Sequence, residues 1–244
     1  MPLNKAKGRM FKSVGWTWTV CRGCSHSCPY CWAASLAKRR GEDFTKPILV
    51  EKDLKTQFPR DNSWIFVCST GDLFCDAVPD EWIHKILNEI ENRGVGNRFL
   101  LQTKNPLRFL DFKDRFERLN DPISRRIILG TTLETNRPTP GNAQSTYIRY
   151  LALEEFHRLG FDTFLSMEPL ADFDHEKIVE WVIEIHPIAI EMGLENYTNY
   201  LTKPPMKKIQ RLYDDLSDVS QVVLKDNLVG KINEYLSVGM EDSK

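Results

Sequence analysis

Apolar residues recur along this chain in short runs, separated by polar turns and by segments with helical spacing. Runs of this length, bounded by turn residues, are typical of buried strands. They predict six strands and a weaker seventh: residues 14–20, 64–68, 98–102, 126–131, 163–167 and 187–190, then 222–225.

Helical patterns lie between these runs. The clearest is an apolar stripe at helical spacing that follows Pro79 and Asp80 and ends before Gly94. Further helices are predicted to open at Pro106, to run from Ser145 to Gly160 and to follow Asp174, and a last pair to span 206–216 and 227–236. The apolar residues that indicate the first four of these helices are Trp82, Ile83, Ile86, Leu87 and Ile90; Leu107, Leu110 and Leu119; Ile148, Leu151, Ala152 and Leu159; Ile178, Val182 and Ile183.

Strands that alternate with helices predict βαβ units and a parallel sheet. The expected fold is therefore α/β, either a partial (β/α)6 barrel or a full TIM-like barrel of parallel strands with outer helices. Residues 1–196 are expected to form the barrel core, and residues 197–244 a C-terminal helical extension packed on it.

Composition narrows the class of protein. Among 244 residues, 33 Lys and Arg against 34 Asp and Glu give a net charge of −1, and 41% of residues are hydrophobic. This is ordinary globular composition, which excludes a strongly basic coating protein but leaves room for a local basic groove. No apolar run approaches the roughly 20 residues that cross a bilayer, and the first residues lack a signal-peptide pattern. A cytoplasmic, reducing location without membrane contact is expected.

In α/β barrels the active site lies where the strands end at their carboxyl sides. The residues that follow the predicted strands are therefore expected to share one rim. They are rich in cysteine, lysine and acidic groups: the cysteine loop after strand one, then Cys68-Ser69-Thr70-Gly71-Asp72, Thr103-Lys104-Asn105, Thr132 and Glu134, Glu168-Pro169, Glu191, and Glu195-Asn196.

The six cysteines are unevenly placed. Cys21, Cys24, Cys28 and Cys31 lie close together, whereas Cys68 and Cys75 stand apart. Crowded thiolates repel each other unless a cation neutralises them, which predicts a metal site.

Three metal sites fit this spacing. Two CxxC pairs would make a zinc site, although three intervening residues leave little room for it. Cys21, Cys24 and Cys28-Pro29 suggest a ferredoxin motif. A two-cluster ferredoxin needs a second cysteine motif of this kind, and the sequence contains none. The third is CxxxCxxC, formed by Cys24, Cys28 and Cys31. Three thiolates can hold three irons of a four-iron cubane and leave the fourth iron open to a reactant.

The third spacing resembles the cluster motif of the radical S-adenosylmethionine (radical SAM) superfamily. The surrounding string resembles the spore photoproduct lyase branch of that superfamily: Gly23-Cys24-Ser25-His26-Ser27-Cys28-Pro29-Tyr30-Cys31-Trp32-Ala33.

A second resemblance is to an uncharacterised radical-SAM-like family of phage and prokaryotic proteins. That family commonly places its first cysteine seven residues before the second, which would be Cys21, but Cys24 fits the wider superfamily and is favoured here. The motifs that carry this resemblance are Asp72-Leu73-Phe74, Val78-Pro79-Asp80-Glu81, Thr103-Lys104-Asn105-Pro106 and Ser166-Met167-Glu168-Pro169-Leu170.

These resemblances imply a barrel that carries a [4Fe-4S] cluster on Cys24, Cys28 and Cys31. SAM would bind the open iron, and one electron from a flavodoxin- or ferredoxin-type reductant would cleave it to a 5′-deoxyadenosyl radical. Tyr30 and Trp32 are expected to shield the cluster, and His26 to orient its loop.

The resemblances also imply roles for residues on the rim. Lys104 would pair with the SAM carboxylate, and Cys68 would donate hydrogen as in spore photoproduct lyase. Ser69, Thr70 and Asp72 stand where many members carry Gly-Gly-Glu for the SAM amino group, and Glu134 and Glu168 would bind the ribose or the ammonium.

Two functions of different class remain open on the sequence. The first is a radical SAM enzyme, whose substrate the lyase resemblance suggests to be a nucleic-acid base. Arg22, Lys38, Arg39 and Arg40 are basic residues that could meet phosphates. The second is a non-catalytic iron–sulfur or zinc module that binds a partner.

Overall fold

The computed structural model describes residues 3–120, 125–195 and 198–241. Its strands, in chain order, are β1 (Leu3–Lys5), β2 (Trp16–Trp18), β3 (Cys21–Arg22), β4 (Ile48–Leu49), β5 (Trp64–Val67), β6 (Arg98–Gln102), β7 (Ile127–Thr132), β8 (Asp162–Met167), β9 (Ala189–Met192) and β10 (Val222–Leu224).

Seven α-helices cover the strands. They are α1 (Trp32–Arg39), α2 (Asp80–Arg93), α3 (Lys113–Leu119), α4 (Thr146–Arg158), α5 (His175–Ile185), α6 (Met206–Ser217) and α7 (Asp226–Glu241); 3₁₀ helices span Glu51–Asp53 and Pro106–Phe112. No described helix combines the length and the apolar character needed to span a membrane.

The main sheet has eight strands in the order β1-β2-β5-β6-β7-β8-β9-β10. All neighbours are parallel except β1, which pairs antiparallel with β2. Within the described ranges the outer strands β1 and β10 each pair with one neighbour, so the sheet is open. It curls into a half-barrel with helices outside, which is consistent with the partial barrel that the sequence predicts.

The local signals explain where several helices begin and end. Pro79 precedes α2, and the backbone N–H of Gly94 bonds back to Ile90 at its end. The Ser145 hydroxyl accepts a hydrogen bond from the backbone N–H of Ile148 and so caps α4. The predicted apolar stripe of α2 is buried against the sheet, with Trp82 only partly covered.

Helices form where the apolar residues indicated them, but several of these residues are exposed. Leu107 and Leu110 are 40% and 47% exposed, and Leu151, Leu159 and Ile183 are also exposed. Beside the second 3₁₀ helix, α3 and α4, the core contains a group of phenylalanines whose rings meet edge to face. That group consists of Phe74, Phe109, Phe112, Phe116, Phe156 and Phe161.

The N-terminal loop, defined here as residues 7–14, fills the concave side of the sheet. Phe11 packs against Phe66 of β5 and Phe164 of β8, with ring centroids 5.4 and 5.2 Å apart. Val14 joins the same apolar cluster, together with Leu100 of β6. The sequence analysis assigned no role to this loop and did not predict β1, β3 or β4.

Residues 196 and 197, where the boundary between the two predicted units falls, lie outside the described residues, as does the rim residue Asn196. Beyond them, β10 joins the main sheet by parallel pairing with β9. This strand directs Lys225, the next residue, toward the carboxyl ends of its neighbours.

Gly71→Ala tests the close approach between the cysteine loop and β5. Gly71 forms a parallel bridge with Gly23, and a Cβ at position 71 would lie 2.7 Å from the Gly23 carbonyl oxygen. Since backbone must shift, we expect the free energy of unfolding to fall by about 1–3 kcal/mol in urea titrations. Gly230→Ala in α7 is the control, because its Cβ would meet no atom within 4 Å. Equal stability of the two variants would contradict the close approach.

Candidate functional site

A cavity of about 430 Å³ opens at the carboxyl ends of the parallel strands. Cys24, Cys28 and Cys31 line one side of it. Of the other predicted site residues, the lining includes Ser69, Asp72, Lys104 and Glu168, whereas Cys68, Thr70 and Glu134 are not part of it. The opposite wall is the N-terminal loop, through Lys7, Arg9, Met10 and Phe11.

Backbone contacts fix the cysteine loop against the rim. The N–H of Cys24 donates to the Phe44 carbonyl at 2.8 Å, and the N–H of Gly23 donates to the Thr70 carbonyl at 3.2 Å. Cys31 ends the loop as the N-cap of α1. The loop is therefore held by the segment before β4 and by the turn after β5.

The three cavity sulfurs are surrounded by hydrogen-bond donors. The backbone N–H of His26 points at Cys24 Sγ and that of Ala34 at Cys31 Sγ, both at 3.4 Å, and Lys104 Nζ lies 3.8 Å from Cys28 Sγ. Donors of this kind stabilise thiolates, the form that binds metals.

Cys21 and Cys68 lie away from the cavity. Both are buried, and the two thiols contact each other. Burial and this contact raise the pKa of Cys68. Cys21 is therefore turned from the group formed by the other three, and the hydrogen-donor role of Cys68 stays a prediction.

Cys75 touches the cysteine loop, which the sequence analysis did not anticipate. A hydrogen bond between the Cys24 and Cys75 thiols, with burial and the nearby Asp72 charge, raises the pKa of Cys24. The same bond lowers the pKa of Cys75 to about 6. Cys75 is fully buried and is not part of the cavity lining.

Asp72 joins the cysteine loop to the strand ends. Its Oδ2 accepts from His26 Nε2 and from the backbone N–H of Lys104, each at 2.9 Å, and its Oδ1 accepts from the backbone N–H of Phe74 at 3.0 Å. Burial acts to raise the pKa of Asp72, but the His26 bond and charge outweigh it and lower that pKa. His26 thus orients its loop through a buried carboxylate.

Ser69 and Thr70, the neighbours of Asp72 in the predicted SAM motif, differ in placement. Ser69 lines the cavity, and its hydroxyl lies 3.0 Å from that of Thr19. The Thr70 hydroxyl is buried and has no hydrogen-bond partner among the described residues.

Glu134 is the centre of a second buried network. Its Oε1 accepts from Tyr30 at 2.6 Å and from Lys104 Nζ, and its Oε2 accepts from Arg149 at 2.9 Å. The Glu134 and Arg149 side chains are both 0% exposed. Burial alone would raise the pKa of Glu134, but Arg149 and Lys104 lower it to about 2. Glu134 therefore holds Lys104 at the cavity.

Arg149 was not predicted from the sequence because only the apolar residues of α4 were used to recognise the helix. The buried residues of that helix include Arg149, Leu153 and Phe156. Their spacing of four and then three residues is itself helical. A single arginine at the head of this apolar series is the signal that could have indicated a buried ion pair.

Glu168 lines the cavity at the end of β8, and its charge is paired with that of Lys225. Lys225 Nζ lies 3.4 Å from Glu168 Oε2 and 3.8 Å from Glu191 Oε2. Burial raises the pKa of Glu168, and Lys225 opposes that rise.

Cys24, His26 and Asp72 also form a group in which one ligand atom of each lies within 4.8 Å of the others. Such a group could hold a single metal ion. However, His26 and Asp72 are hydrogen-bonded to each other, and both Asp72 oxygens already accept backbone N–H groups.

These features define an open α/β barrel whose cavity is lined by three cysteines, two lysines, an arginine and three carboxylates. The chain belongs to the protein family of unknown function DUF5131, whose family model matches residues 11–184.

Two solved structures share the fold. They are SuiB from Streptococcus suis, with a TM-score of 0.53 over 84% of this chain and 11% identity, and SuiB bound to the precursor peptide SuiA, with a TM-score of 0.54 over 85% and 12% identity. The chain spans about half the length of SuiB, 47% and 48% in the two comparisons. At this identity the likeness shows the fold alone. No curated protein sequence matches the chain.

Glu134→Gln tests the second network. It leaves Arg149 buried beside a neutral amide, so we expect a loss of about 3–5 kcal/mol in the free energy of unfolding. Glu155→Gln is the matched control, because Glu155 pairs with Arg158 at the surface. A loss below about 1 kcal/mol, the value of a surface pair, would contradict the assignment.

The pH dependence of this loss follows from the pKa of Glu134. Since that pKa is lowered from 4.5 to about 2 in the folded chain, its contribution is complete above pH 4.5 and is lost as pH falls toward 2. The stability difference between the wild type and Glu134→Gln should therefore shrink in that window, by about 3 kcal/mol in all. Urea titrations at several pH values measure it; a constant difference would be the contrary result.

Proposed function

We propose that this protein is a radical SAM enzyme in which Cys24, Cys28 and Cys31 hold a [4Fe-4S] cluster. The observation that carries the proposal is that these three thiols line one cavity while Cys21 is buried against Cys68. Three cysteine ligands leave one iron of a cubane without a protein ligand, which is the position that SAM requires.

The surroundings of the three sulfurs fit an iron–sulfur cluster. Two backbone N–H groups and one ammonium point at them, and hydrogen bonds to sulfur help to set the properties of such clusters. A closed zinc site needs four ligands. Among the described residues, His26 and Asp72 form a possible metal-binding group with Cys24, but they are hydrogen-bonded to each other. The Cys75 thiol contacts Cys24 but is not part of the cavity lining.

When bound, the cluster and SAM supply a 5′-deoxyadenosyl radical that abstracts hydrogen from a substrate. The electron would come from a flavodoxin- or ferredoxin-type reductant. The chain's own residues position the ligand and keep water from it, through an apolar lining that includes Met10, Phe11, Phe66 and Leu194.

Lys104 is the residue proposed to pair with the SAM carboxylate. An ammonium has three N–H donors; Glu134, Tyr30 and the Cys28 sulfur accept from it, and it remains part of the cavity lining. Glu134 thus acts through Lys104, a role different from the direct ribose or ammonium contact that the resemblance implies. Glu168 and Ser69 line the cavity and are proposed to bind polar groups of SAM.

The fold supports the same proposal, since SuiB is a radical SAM enzyme. The substrate is a further part of the proposal. The cysteine string resembles that of spore photoproduct lyase and favours a nucleic-acid base. SuiB was solved with a precursor peptide, which makes a peptide the competing class.

The decisive experiment is reductive cleavage of SAM. Protein purified without oxygen should be brown and contain about four irons per chain. Treated with dithionite and SAM, it should release 5′-deoxyadenosine. Cluster-loaded protein that releases none would remove the enzyme proposal, and zinc in place of iron would favour a binding module.

Separate substitutions of Cys24 and Cys21 test the ligand assignment. Cys24→Ala removes a thiol that lines the cavity and should abolish cluster binding, measured as iron content and visible absorption. Cys21→Ala removes a thiol that contacts only the core and should retain the cluster, at a modest loss of stability. The reverse pattern would assign the first ligand to Cys21.

A further inference from the structure

We propose that Lys225 is a positioning residue that holds the cavity wall opposite the cysteine loop. Lys225 directly follows strand β10 and does not line the cavity, but by holding this wall it affects the affinity for the ligand. This inference rests on the proposed function, because it concerns the same cavity.

The wall in question is the N-terminal loop, which has no helix or strand of its own. Lys7, Arg9, Met10 and Phe11 all line the cavity. A segment without regular backbone hydrogen bonds takes a defined position only when other parts of the chain bind it. The identity of its anchors therefore decides the shape of the cavity.

Lys225 is the charged anchor of this loop. Its Nζ donates to the Arg9 carbonyl oxygen at 2.7 Å and lies 4.9 Å from the centroid of the Phe11 ring. The side chain is 6% exposed. A charge-assisted hydrogen bond and a cation–π contact at so buried a site are both stronger than at the surface.

The Lys225 ammonium also contacts two carboxylates, those of Glu168 and Glu191. Glu168 lines the cavity from the end of β8, and Glu191 lies buried on β9. Lys225 Nζ lies within 4 Å of a carboxylate oxygen of each, at 3.4 and 3.8 Å. One cation therefore fixes a carboxylate of the cavity and the backbone of the loop that faces it.

Besides the packing of Phe11 and Val14, the described residues supply two further polar contacts to the loop. The backbone N–H of Ser13 donates to Glu191 Oε1 at 2.8 Å, so this bond too depends on a carboxylate beside Lys225. Lys12 pairs with Asp226 at the surface, where both side chains are largely exposed and an ion pair contributes little. Removal of the Lys225 charge thus weakens the buried anchors together.

The contact between Lys225 and Arg9 is made by residues outside the family match. The family match covers residues 11–184, so both Arg9 and Lys225 lie outside it. The contact joins the segment between β1 and β2 to the residue after β10, and β1 and β10 are the two edge strands of the described sheet. The residues that shape this cavity wall thus include parts of the chain that lie outside the family match.

The test compares Lys225→Met, which keeps the length of the side chain but removes the charge, with Lys225→Arg, which restores the charge. Lys208→Met is the matched control. Lys208 pairs with Asp172 at 2.7 Å and lies 4.7 Å from the Phe173 ring, so it has the same kinds of contact, made with residues that do not line the cavity.

Hydrogen exchange of the amides of residues 10–14 is the first readout. Loss of a buried charge-assisted bond should accelerate exchange there by about tenfold or more in Lys225→Met, and Lys225→Arg should recover most of the protection. Lys208→Met should leave these amides at the wild-type rate. Wild-type rates in Lys225→Met, or equal acceleration in Lys208→Met, would overturn the proposal.

The second readout is the split between KM and kcat for SAM in dithionite-driven cleavage. We expect Lys225→Met to keep its iron and its kcat while KM rises by about tenfold. A lower kcat at unchanged KM would be evidence against a positioning role. If Lys225→Met does not fold, Lys225→Gln serves as the neutral variant, because it retains an N–H donor.

The two readouts separate this inference from the proposed function. If the wild type releases no 5′-deoxyadenosine, the proposed function fails, while hydrogen exchange still decides whether Lys225 holds the loop. If the wild type is active and Lys225→Met exchanges like the wild type, only the present inference fails.

Discussion

The site depends on one buried carboxylate that ties three segments together. Asp72 accepts hydrogen bonds from His26 in the cysteine loop, from the backbone N–H of Lys104 after β6, and from Phe74 in its own turn after β5. The cysteines lie in a loop, which constrains side chains less than a helix or a strand does. Metal ligands nevertheless need precisely defined positions. Asp72 meets that need because two of its partners, Lys104 and Phe74, follow strands β6 and β5, which the rest of the sheet fixes.

The charges around the cavity follow one rule. Asp72 pairs with His26, Glu134 with Lys104 and Arg149, and Glu168 with Lys225. Asp72 and His26 both line the cavity, whereas Lys104 and Glu168 line it and are held by partners that do not. Charges that are paired and fixed in a water-poor site are already arranged before a ligand arrives, which is how such sites stabilise reacting groups.

Helices and strands that depend on local sequence patterns could be predicted from the sequence. The predicted strand 98–102 coincides with β6, and Ser145 caps α4. The three cysteines of the CxxxCxxC spacing line one cavity. What it could not show depends on contacts between distant parts of the chain: the pairing of Glu134 with Arg149, the thiol contact between Cys21 and Cys68, and the N-terminal loop against Lys225. The short strands β3 and β4 pair with each other over two residues each and leave no periodic pattern.

The central claim is that three thiols hold a cluster with one iron open to SAM. Electron paramagnetic resonance of the reduced, cluster-loaded protein, recorded with and without SAM, tests it most directly. The account predicts the signal of a reduced four-iron cluster whose g-values shift when SAM is added, because SAM binds the cluster itself. A signal that SAM leaves unchanged, or a protein that carries a single zinc ion and gives no signal, would contradict it.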